Sequence, residues 1–337
     1  MRALIVGGCG FVGINIAEAL LRRGDHAVLL DVNPLSRVAS RAFEQMSGTY
    51  SVEQMDVLEA PSIAGVFTNH NIDTVFYGAA MTSGPERERV SPDRVLAVNL
   101  QGLVNVISAA NKAGGVKRII NIRSGSAYGR HRFHGDGAIV EEITPSEPES
   151  LYGITKHASE AVCRRLAELL SLDIRSVRLT AVYGPWEVDS GARDTLSPLM
   201  QVALAALNGE TAILPRVDSQ DWVYSRDVAM ALLALMDAEE PSYDLYHIAS
   251  KQGFGVRDWC AVLKSHYRSF DYATATSGEK ANINLHSDSD RRPLSGERLA
   301  RDIGHALPSE LEMAFQDYLD WMILHGEFLS KIGRAHV

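Results

Sequence analysis

The chain has 337 residues, of which 46% are hydrophobic and 22% charged, and its net charge is −9. This composition excludes a disordered or collagen-like chain, and an acidic balance without a basic tail argues against nucleic acid as a partner. Three scattered cysteines, Cys9, Cys163 and Cys260, indicate neither a disulfide framework nor a metal site. No apolar run reaches the roughly 18 residues of a membrane span, and Met1–Gly8 lacks a secretory pattern, so we expect a soluble cytoplasmic protein without a membrane partner.

Short apolar runs alternate with helix-length segments through the first half of the chain. The predicted strands are Ala3–Val6, His26–Leu30, Thr74–Tyr77, Arg118–Ile122 and Arg175–Leu179. The helical patterns between them include Phe11–Arg23, Asp93–Ala113 and Tyr152–Leu170. This alternation predicts right-handed βαβ crossovers and therefore an α/β fold with a Rossmann-type, doubly wound parallel sheet.

The regular alternation ends near Pro185, where prolines and Gly/Ser clusters become frequent. We therefore predict a nucleotide-binding domain over residues 1–184, completed by about 222–240. A smaller C-terminal α+β region, residues 185–221 and 241–337, is then expected to bind the substrate.

A glycine-rich loop follows the first predicted strand and precedes the first predicted helix. Gly7 permits a tight turn, Gly10 lets backbone amides approach a pyrophosphate, and Gly13 lets the helix pack closely on the sheet. The helix N-terminus then offers unpaired N–H groups and a partial positive charge to the phosphates. The loop predicts a dinucleotide cofactor.

The residue that ends the second predicted strand bears on which dinucleotide binds. Asp31 can accept hydrogen bonds from the adenosine ribose and would repel a 2′-phosphate, which favours NAD over NADP. Arg37 and Arg41 follow closely, however, and leave a phosphate contact open.

Three side chains form a candidate catalytic group. Tyr152 and Lys156 are four residues apart at the start of a predicted helix, so they share one face. A neighbouring ammonium lowers the pKa of a phenol, and Tyr152 could then exchange a proton with a substrate hydroxyl while hydride moves to or from nicotinamide. Ser124, beyond the Arg118–Ile122 strand, is placed to hydrogen-bond the same substrate oxygen.

Together these motifs resemble those of the extended short-chain dehydrogenases/reductases of the NAD-dependent epimerase/dehydratase family, over nearly the whole chain. The motifs are Gly7–Gly13, Asp31, Asp56-Val57, Gly78-Ala79-Ala80, Asn99, Ser124–Gly129, Tyr152–Lys156, Arg178 through Pro185, and Gln220–Tyr224 followed by Asp227-Val228-Ala229. The resemblance implies that NAD contacts, besides the glycines and Asp31, the residues Phe11, Val12, Asp56, Val57, Gly78, Ala79, Ala80, Asn99, Ile122, Tyr152, Lys156 and Val182.

The resemblance also implies roles on the substrate side. Thr82, Ser126, Arg193 and Gln220 are the candidate substrate-binding residues, and Ser126 competes with Ser124 for the role of catalytic serine. Family members usually form homodimers through two helices per subunit, which here follow Pro92 and Ser150.

The sequence departs from the family where nucleotide-sugar enzymes hold a diphosphate. The family asparagine is Ala181, one family arginine is Gln220, and a second arginine has no counterpart near Gly278–Asn282. Losing these charge-assisted donors argues against a nucleotide-diphosphate sugar as substrate. Arginines that could substitute from another direction are Arg193, Arg216, Arg291 and Arg292.

Two further features bear on the reaction. The acidic pair of the family's dehydratases is replaced by Gly125 and Ser126, which argues against dehydration. A basic cluster could meet a carboxylate or phosphate of the substrate, or be a solvated loop. Its members are Arg123, Arg130, His131, Arg132 and His134.

The leading functional hypothesis is an NAD-dependent dehydrogenase that interconverts a secondary alcohol and a ketone or lactone on a small sugar, polyol or sugar acid. The alternative is an epimerase of sugars or nucleotide sugars that retains its NAD, because the same three residues serve both reactions. A protein that binds NAD without turnover is a third hypothesis, against which the presence of both Tyr152 and Lys156 argues.

Overall fold

The computed structural model describes residues 1–187, 196–250, 253–305, 310–326 and 328–329. The strands are β1 (Arg2–Val6), β2 (His26–Asp31), β3 (Thr49–Gln54), β4 (Thr74–Tyr77), β5 (Arg118–Ser124), β6 (Ile174–Leu179), β7 (Val182–Tyr183), β8 (Thr211–Leu214), β9 (Val223–Tyr224), β10 (Leu245–Ile248) and β11 (Asp271–Thr274).

Helices occupy much of the remaining described chain. They are α1 (Phe11–Arg22), α2 (Arg37–Phe43), α3 (Ala60–His70), α4 (Pro85–Val90), α5 (Pro92–Leu96), α6 (Gly102–Ala113), α7 (Leu151–Leu170), α8 (Pro198–Asn208), α9 (Ser225–Asp237), α10 (Val256–His266), α11 (Glu297–Ile303) and α12 (Leu311–Leu324). A π-helical turn, Ala97–Gln101, joins α5 to α6, and two 3₁₀ turns, Gly125–Tyr128 and Arg130–Arg132, follow β5.

In the described residues a parallel sheet of seven strands has the order β10-β6-β5-β4-β1-β2-β3. Strands β4 and β10 are buried along their whole length, because helices cover both faces of the sheet. The predicted α/β fold with a doubly wound parallel sheet is confirmed. The strand order reverses between β1 and β4, and such a switch point opens a crevice at the carboxyl ends of the strands.

Two apolar layers flank this sheet. On one face α1 packs against α9, and on the other α3 packs against α6, with α7 beside the π-helical turn and β5. Asn15, buried in α1, ties the first layer to later chain: its Nδ2 donates to Pro185 O at 2.9 Å and its Oδ1 accepts from Ser225 Oγ at 3.0 Å. The chain that leaves β7 is thereby fixed beside the glycine-rich loop.

The C-terminal part of the chain forms a smaller α+β layer over the carboxyl ends of the strands. Strand β11 pairs with β8 and β9 with β7, both in parallel. An aromatic cluster joins α10 to α12, where the Trp259 and Tyr318 rings stack with centroids 4.9 Å apart. Among the described residues, no helix combines the length and apolar character required to cross a membrane. No cluster of potential metal ligands occurs among them either.

Candidate active site

A cleft of about 750 Å³ lies at the carboxyl ends of the strands, between the sheet and the C-terminal layer. This volume is within the range of about 300–1,000 Å³ that is typical of ligand sites. The glycine-rich loop lines the cleft together with Tyr152, Ser197 and Arg291. The fold therefore brings the predicted cofactor and substrate sides into one space.

The glycine-rich loop has the geometry of a phosphate cradle. Gly7 adopts a φ of +83°, in the left-handed region that favours glycine, and its N–H donates to Leu30 O at 2.8 Å. A Cβ on Gly13 would lie 2.2 Å from Gly7 O, so only glycine allows this approach of helix to loop. Helix α1 begins after Gly10 without a side-chain cap, which leaves its first amides for a phosphate. These residues fit the pyrophosphate of a dinucleotide.

Asp31 lies at the end of β2 and lines the cleft. Its Oδ2 accepts from Cys9 N at 3.1 Å and its Oδ1 from Asn33 N at 3.0 Å, so the loop fixes the carboxylate. Burial raises the pKa of Asp31. Arg37 and Arg41 are exposed on α2 and lie outside the cleft lining, which supports the predicted preference for NAD.

Most of the predicted cofactor residues line this cleft. They are Gly7, Gly10, Phe11, Val12, Gly13, Asp31, Asp56, Val57, Gly78, Ala79, Ala80, Ile122, Tyr152, Lys156 and Val182. Asp56 also forms an ion pair with Arg94, another residue of the lining.

Asn99 is the exception among the predicted cofactor residues. It is fully buried behind the wall, where its Oδ1 accepts from Met81 N at 2.8 Å. Its Nδ2 donates to Met81 O and to Thr155 Oγ1, both at 3.0 Å. Because these contacts use its amide, Asn99 holds the segment after β4 against α7 and does not face the cleft.

The three candidate catalytic side chains all line the cleft. Lys156 Nζ lies 5.3 Å from the centroid of the Tyr152 ring and 3.4 Å from Ile122 O. Ser124 Oγ accepts from Ser126 N at 3.1 Å at the start of the first 3₁₀ turn. A Cβ on Gly153 would lie 2.7 Å from Ser126 O, so this glycine lets the start of α7 approach the turn that carries Ser124.

A buried cation lies beneath this group. Arg123 is 2% exposed, and all three guanidinium nitrogens have no hydrogen-bond partner in the described structure. Its guanidinium carbon lies 5.4 Å from the centroid of the Tyr77 ring. Burial, and then repulsion from Arg123, lower the pKa of Lys156 well below its ordinary value. Arg123 therefore adds positive charge beside Lys156.

The predicted substrate residues separate into different positions. Thr82 lines the cleft, whereas Ser126 Oγ is buried without a hydrogen-bond partner and lies outside the lining. Gln220 is buried behind the cleft, where its Oε1 accepts from Arg291 Nε at 2.6 Å. Gln220 thus positions an arginine and does not meet the cleft itself. Arg193 lies outside the described residues.

The basic cluster divides between loop and cleft. Arg130 forms an ion pair with Glu147, and His131 lies 3.4 Å from the same carboxylate. His134 is exposed, so these three residues fit the interpretation of a solvated loop. Arg123 and Arg132 line the cleft.

The substitute arginines also separate. Arg291 lines the cleft, with its guanidinium carbon 5.7 Å from the Trp222 ring centroid. Arg216 pairs instead with Asp290, and Arg292 donates to backbone carbonyls that include His134 O at 2.9 Å.

Several lining residues were not identified from the sequence as part of the site. They are Thr180, Ser197, Pro198, Trp222 and His286. Thr180 and Trp222 lie within motifs noted in the sequence but were not assigned to the site, whereas no local motif marks Ser197, Pro198 and His286, which only the fold brings to the cleft.

Curated proteins similar to this chain act on nucleotide sugars, by their names. UDP-glucuronate 4-epimerase 1 of Arabidopsis thaliana is 28% identical, and the match covers 100% of the chain and 80% of that protein. The dTDP-L-rhamnose 4-epimerase of Burkholderia thailandensis is 26% identical over 79% of the chain and 81% of its own length. For UDP-glucuronate 4-epimerase 3 of Arabidopsis thaliana, 27% identical, the chain spans about half the length of the relative, 55%.

Solved structures share the whole fold. The UDP-glucose 4-epimerase of Thermotoga maritima with UDP-glucose has a TM-score of 0.76 at 21% identity, covering 96% of this chain and 99% of that one. The UDP-glucuronic acid 4-epimerase of Bacillus cereus with UDP-glucuronic acid and NAD has a TM-score of 0.76 at 18% identity, with the same coverage. At these identities the likeness shows the fold.

These relatives overturn one expectation from the sequence. The exclusion of nucleotide-diphosphate sugars, and with it the leading dehydrogenase hypothesis, is wrong, since the similar proteins are nucleotide-sugar epimerases. The physical reason lies in the cleft. The absence of family donors at Ala181 and Gln220 does not remove positive charge from the site, because Arg291 enters it from the C-terminal segment.

The sequence profile of the NAD dependent epimerase/dehydratase family matches residues 3–249, which is more than half of the chain. The match includes the glycine-rich loop, Asp31, and the Ser124, Tyr152 and Lys156 group. It confirms both the resemblance noted in the sequence and NAD as the predicted cofactor. The chain therefore belongs to the NAD-dependent epimerase/dehydratase family, whose members are enzymes of the extended short-chain dehydrogenase/reductase type.

Proposed function

We propose that this protein is an epimerase of a nucleotide-activated sugar. The enzyme inverts the configuration at the hydroxyl-bearing carbon C4 of the sugar and retains its NAD throughout. The observation that carries the proposal is the convergence of Ser124, Tyr152 and Lys156 on a cleft that also contains Arg291. The 4-epimerase names of similar proteins support the choice of reaction over net oxidation.

The chain's own residues account for the proton transfers. Tyr152 Oη takes the proton of the C4 hydroxyl as a ketone forms, and it returns the proton after the ring has presented its other face. Ser124 Oγ donates a hydrogen bond to the same oxygen and holds it in place in both halves of the reaction. Lys156, above the Tyr152 ring, stabilises the phenolate and would hold the nicotinamide ribose. NAD bound along the glycine-rich loop supplies the hydride acceptor and then the hydride donor for C4.

Arg291 supports a diphosphate on the substrate. Gln220 accepts a hydrogen bond from its Nε, and Arg291 lines the cleft, as Ser197 and His286 do. An arginine held at one nitrogen keeps its other donors for an anion, and charge-assisted bonds of this kind are worth about 1.5–3 kcal/mol each. Arg291 thus replaces the family donors that the sequence lacks.

The test is turnover of a UDP-sugar without added NAD. Purified protein should convert UDP-glucose or UDP-glucuronate to its C4 epimer, followed by proton NMR, with no net rise in NADH absorbance. Tyr152→Phe should abolish conversion while NAD remains bound, and Tyr243→Phe, at an exposed position remote from the cleft, serves as the matched control. Accumulation of NADH in proportion to oxidised sugar, or full activity in Tyr152→Phe, would overturn the proposal.

We also propose a homodimer, as the family resemblance implies. Apolar side chains on the two helices concerned support it: Leu96 of α5 is 41% exposed and Ile154 of α7 is 43% exposed. Sedimentation should show a dimer that Leu96→Asp together with Ile154→Asp converts to monomer, whereas an unchanged mass would contradict this interface. A cytoplasmic localisation stays a prediction from the sequence.

A further inference from the structure

Two arginines from separate segments converge on the substrate side of the cleft. Arg132 ends the second 3₁₀ turn, and Arg291 belongs to the segment that precedes α11; both line the cleft with Tyr152. The backbone joins the two segments, because Arg292 N donates to Arg132 O at 2.7 Å. The pair is therefore part of one rigid arrangement and not two independent surface side chains.

The positive charge of this pair is not neutralised locally. In the described structure neither guanidinium forms an ion pair within 4.0 Å, and Arg291 Nε donates to the neutral Gln220 Oε1. Arg132 Nε is buried without a hydrogen-bond partner. Asp221 acts on both arginines from a greater distance, and its Oδ2 already accepts from Leu294 N at 2.9 Å. Asp218 and Asp290 also act on Arg291, whereas Asp221 is the one carboxylate whose charge acts on Arg132.

The pKa values agree with an excess of positive charge. Burial, followed by repulsion from Arg291, lowers the pKa of Arg132 to about 9. Burial also lowers the pKa of Arg291. At neutral pH Arg132 stays protonated, so the protein holds one half-buried cation beside another, which costs free energy. An anion bound at Arg132 would offset that cost.

The position of Arg132 indicates which part of a substrate the anion belongs to. A Cβ on Gly125, the residue after Ser124, would lie 3.7 Å from Arg132 Nε, and Arg132 is close enough to Tyr152 for their charges to interact. Arg132 therefore lies at the reacting end of the cleft. In a pyranose that reacts at C4, the neighbouring C5 carries C6, whereas the diphosphate is attached to C1 on the opposite side of the ring.

We propose that Arg132 binds a carboxylate at C6 of the sugar, while Arg291 remains the ligand of the diphosphate, so that the substrate is a nucleotide-activated uronic acid and not a neutral hexose. This inference rests on the proposed epimerase function and names its substrate class. Arg132 would then be a specificity-determining residue that contacts the substrate.

The test compares three ligands on the NAD-loaded protein by calorimetry: UDP-glucuronate, UDP-glucose and UDP. Wild-type protein should bind UDP-glucuronate at least about 10-fold more tightly than UDP-glucose, as one charge-assisted contact predicts. Arg132→Gln should weaken UDP-glucuronate about 10- to 100-fold and change the other two ligands less than about 3-fold. Arg132→Lys, which keeps the charge, should recover part of the preference.

Arg130→Gln is the matched control, since Arg130 belongs to the same turn, is exposed, and pairs with Glu147. It should leave all three affinities unchanged. Equal affinity of wild-type protein for the uronate and the hexose would overturn the inference without any variant, and so would a parallel loss for all ligands in Arg132→Gln, which would assign Arg132 to the diphosphate. In those cases C4 epimerisation of UDP-glucose would still stand; loss of all binding and turnover would instead refute the proposed function.

Discussion

Two glycines of the cofactor loop should respond to alanine in different ways, because a new Cβ meets different surroundings at each. At Gly13 the Cβ would lie 2.2 Å from Gly7 O, an overlap that requires the loop or the helix to move. At Gly10 the nearest atom, again Gly7 O, would be 3.3 Å away, and the backbone φ of −85° is ordinary for alanine. Gly13→Ala should therefore damage the fold of the loop, whereas Gly10→Ala should spare it.

Overpacking of this kind costs about 1–3 kcal/mol. With an unfolding entropy of about 2.1 cal/mol/K per residue, a chain of this length loses roughly 1–2 °C of melting temperature per kcal/mol. Gly13→Ala should thus lower the apoprotein's melting temperature by about 1–6 °C, and Gly10→Ala by less than about 1 °C. Because the Gly10 Cβ would intrude where amides meet a pyrophosphate, Gly10→Ala should still weaken NAD binding about 10- to 100-fold.

The assay is thermal unfolding of NAD-free protein, followed by a titration with NAD in which the melting temperature rises as ligand binds. Wild-type protein provides the reference for both measurements. Gly13→Ala with an unchanged apoprotein melting temperature would refute the steric reasoning, and Gly10→Ala with full NAD affinity would refute the placement of the pyrophosphate.

Three further predictions follow from single side chains. Asp31→Ala should narrow the preference for NAD over NADP about 10- to 100-fold in calorimetric titrations, since the carboxylate that favours the ribose hydroxyls is gone; an unchanged preference would contradict its role. Lys156→Met should abolish turnover yet raise the unfolding free energy by about 1–4 kcal/mol, because burial and the charge of Arg123 disfavour the ammonium. Lys117→Met, at an exposed position, should not raise the unfolding free energy. Burial lowers the pKa of His247 to about 3, and its Nε2 lies 2.6 Å from Tyr128 Oη. Because the unfolded chain takes up a proton at this histidine below about pH 6.5, the unfolding free energy measured with denaturant should be highest above that pH and fall as the pH drops towards 3. His247→Gln should flatten this decline, and a slope equal to that of the wild type would contradict it.

The sequence predicted five strands of the seven-stranded sheet and missed β3 and β10. Thr74–Tyr77 was predicted with the bounds that β4 has, because every residue in it is buried. Strand β3 lies at an edge of the sheet and exposes polar side chains, so its composition has no apolar signal. Strand β10 is apolar but short, and only its pairing with β6 distinguishes it from a core segment of the C-terminal layer.

The same division applies to the site. Gly7, Asp31 and Tyr152 belong to local motifs next to the end of a strand or helix, and such motifs can be identified without knowledge of the fold. Arg291 was one of four arginines named as possible substitutes, and Gln220 was interpreted both as a lost arginine and as a substrate-binding residue, because no local pattern shows the hydrogen bond between the two. The wrong exclusion of nucleotide sugars arose here, because a missing residue was interpreted without the three-dimensional neighbours that replace its charge.

The π-helical turn between α5 and α6 sets limits on how this chain can change length. A π-helical turn holds one residue more than an α-helical turn, and one of its carbonyls, Val98 O, accepts from Tyr77 Oη at 3.2 Å. Deleting one residue here would rotate everything before it by about 100° relative to everything after it. Asn99, in the turn, could then keep its hydrogen bonds to Met81 only if Leu103, in α6, left the core. The π-helical turn thus sets the rotation of α6 relative to α5 that allows both contacts at once.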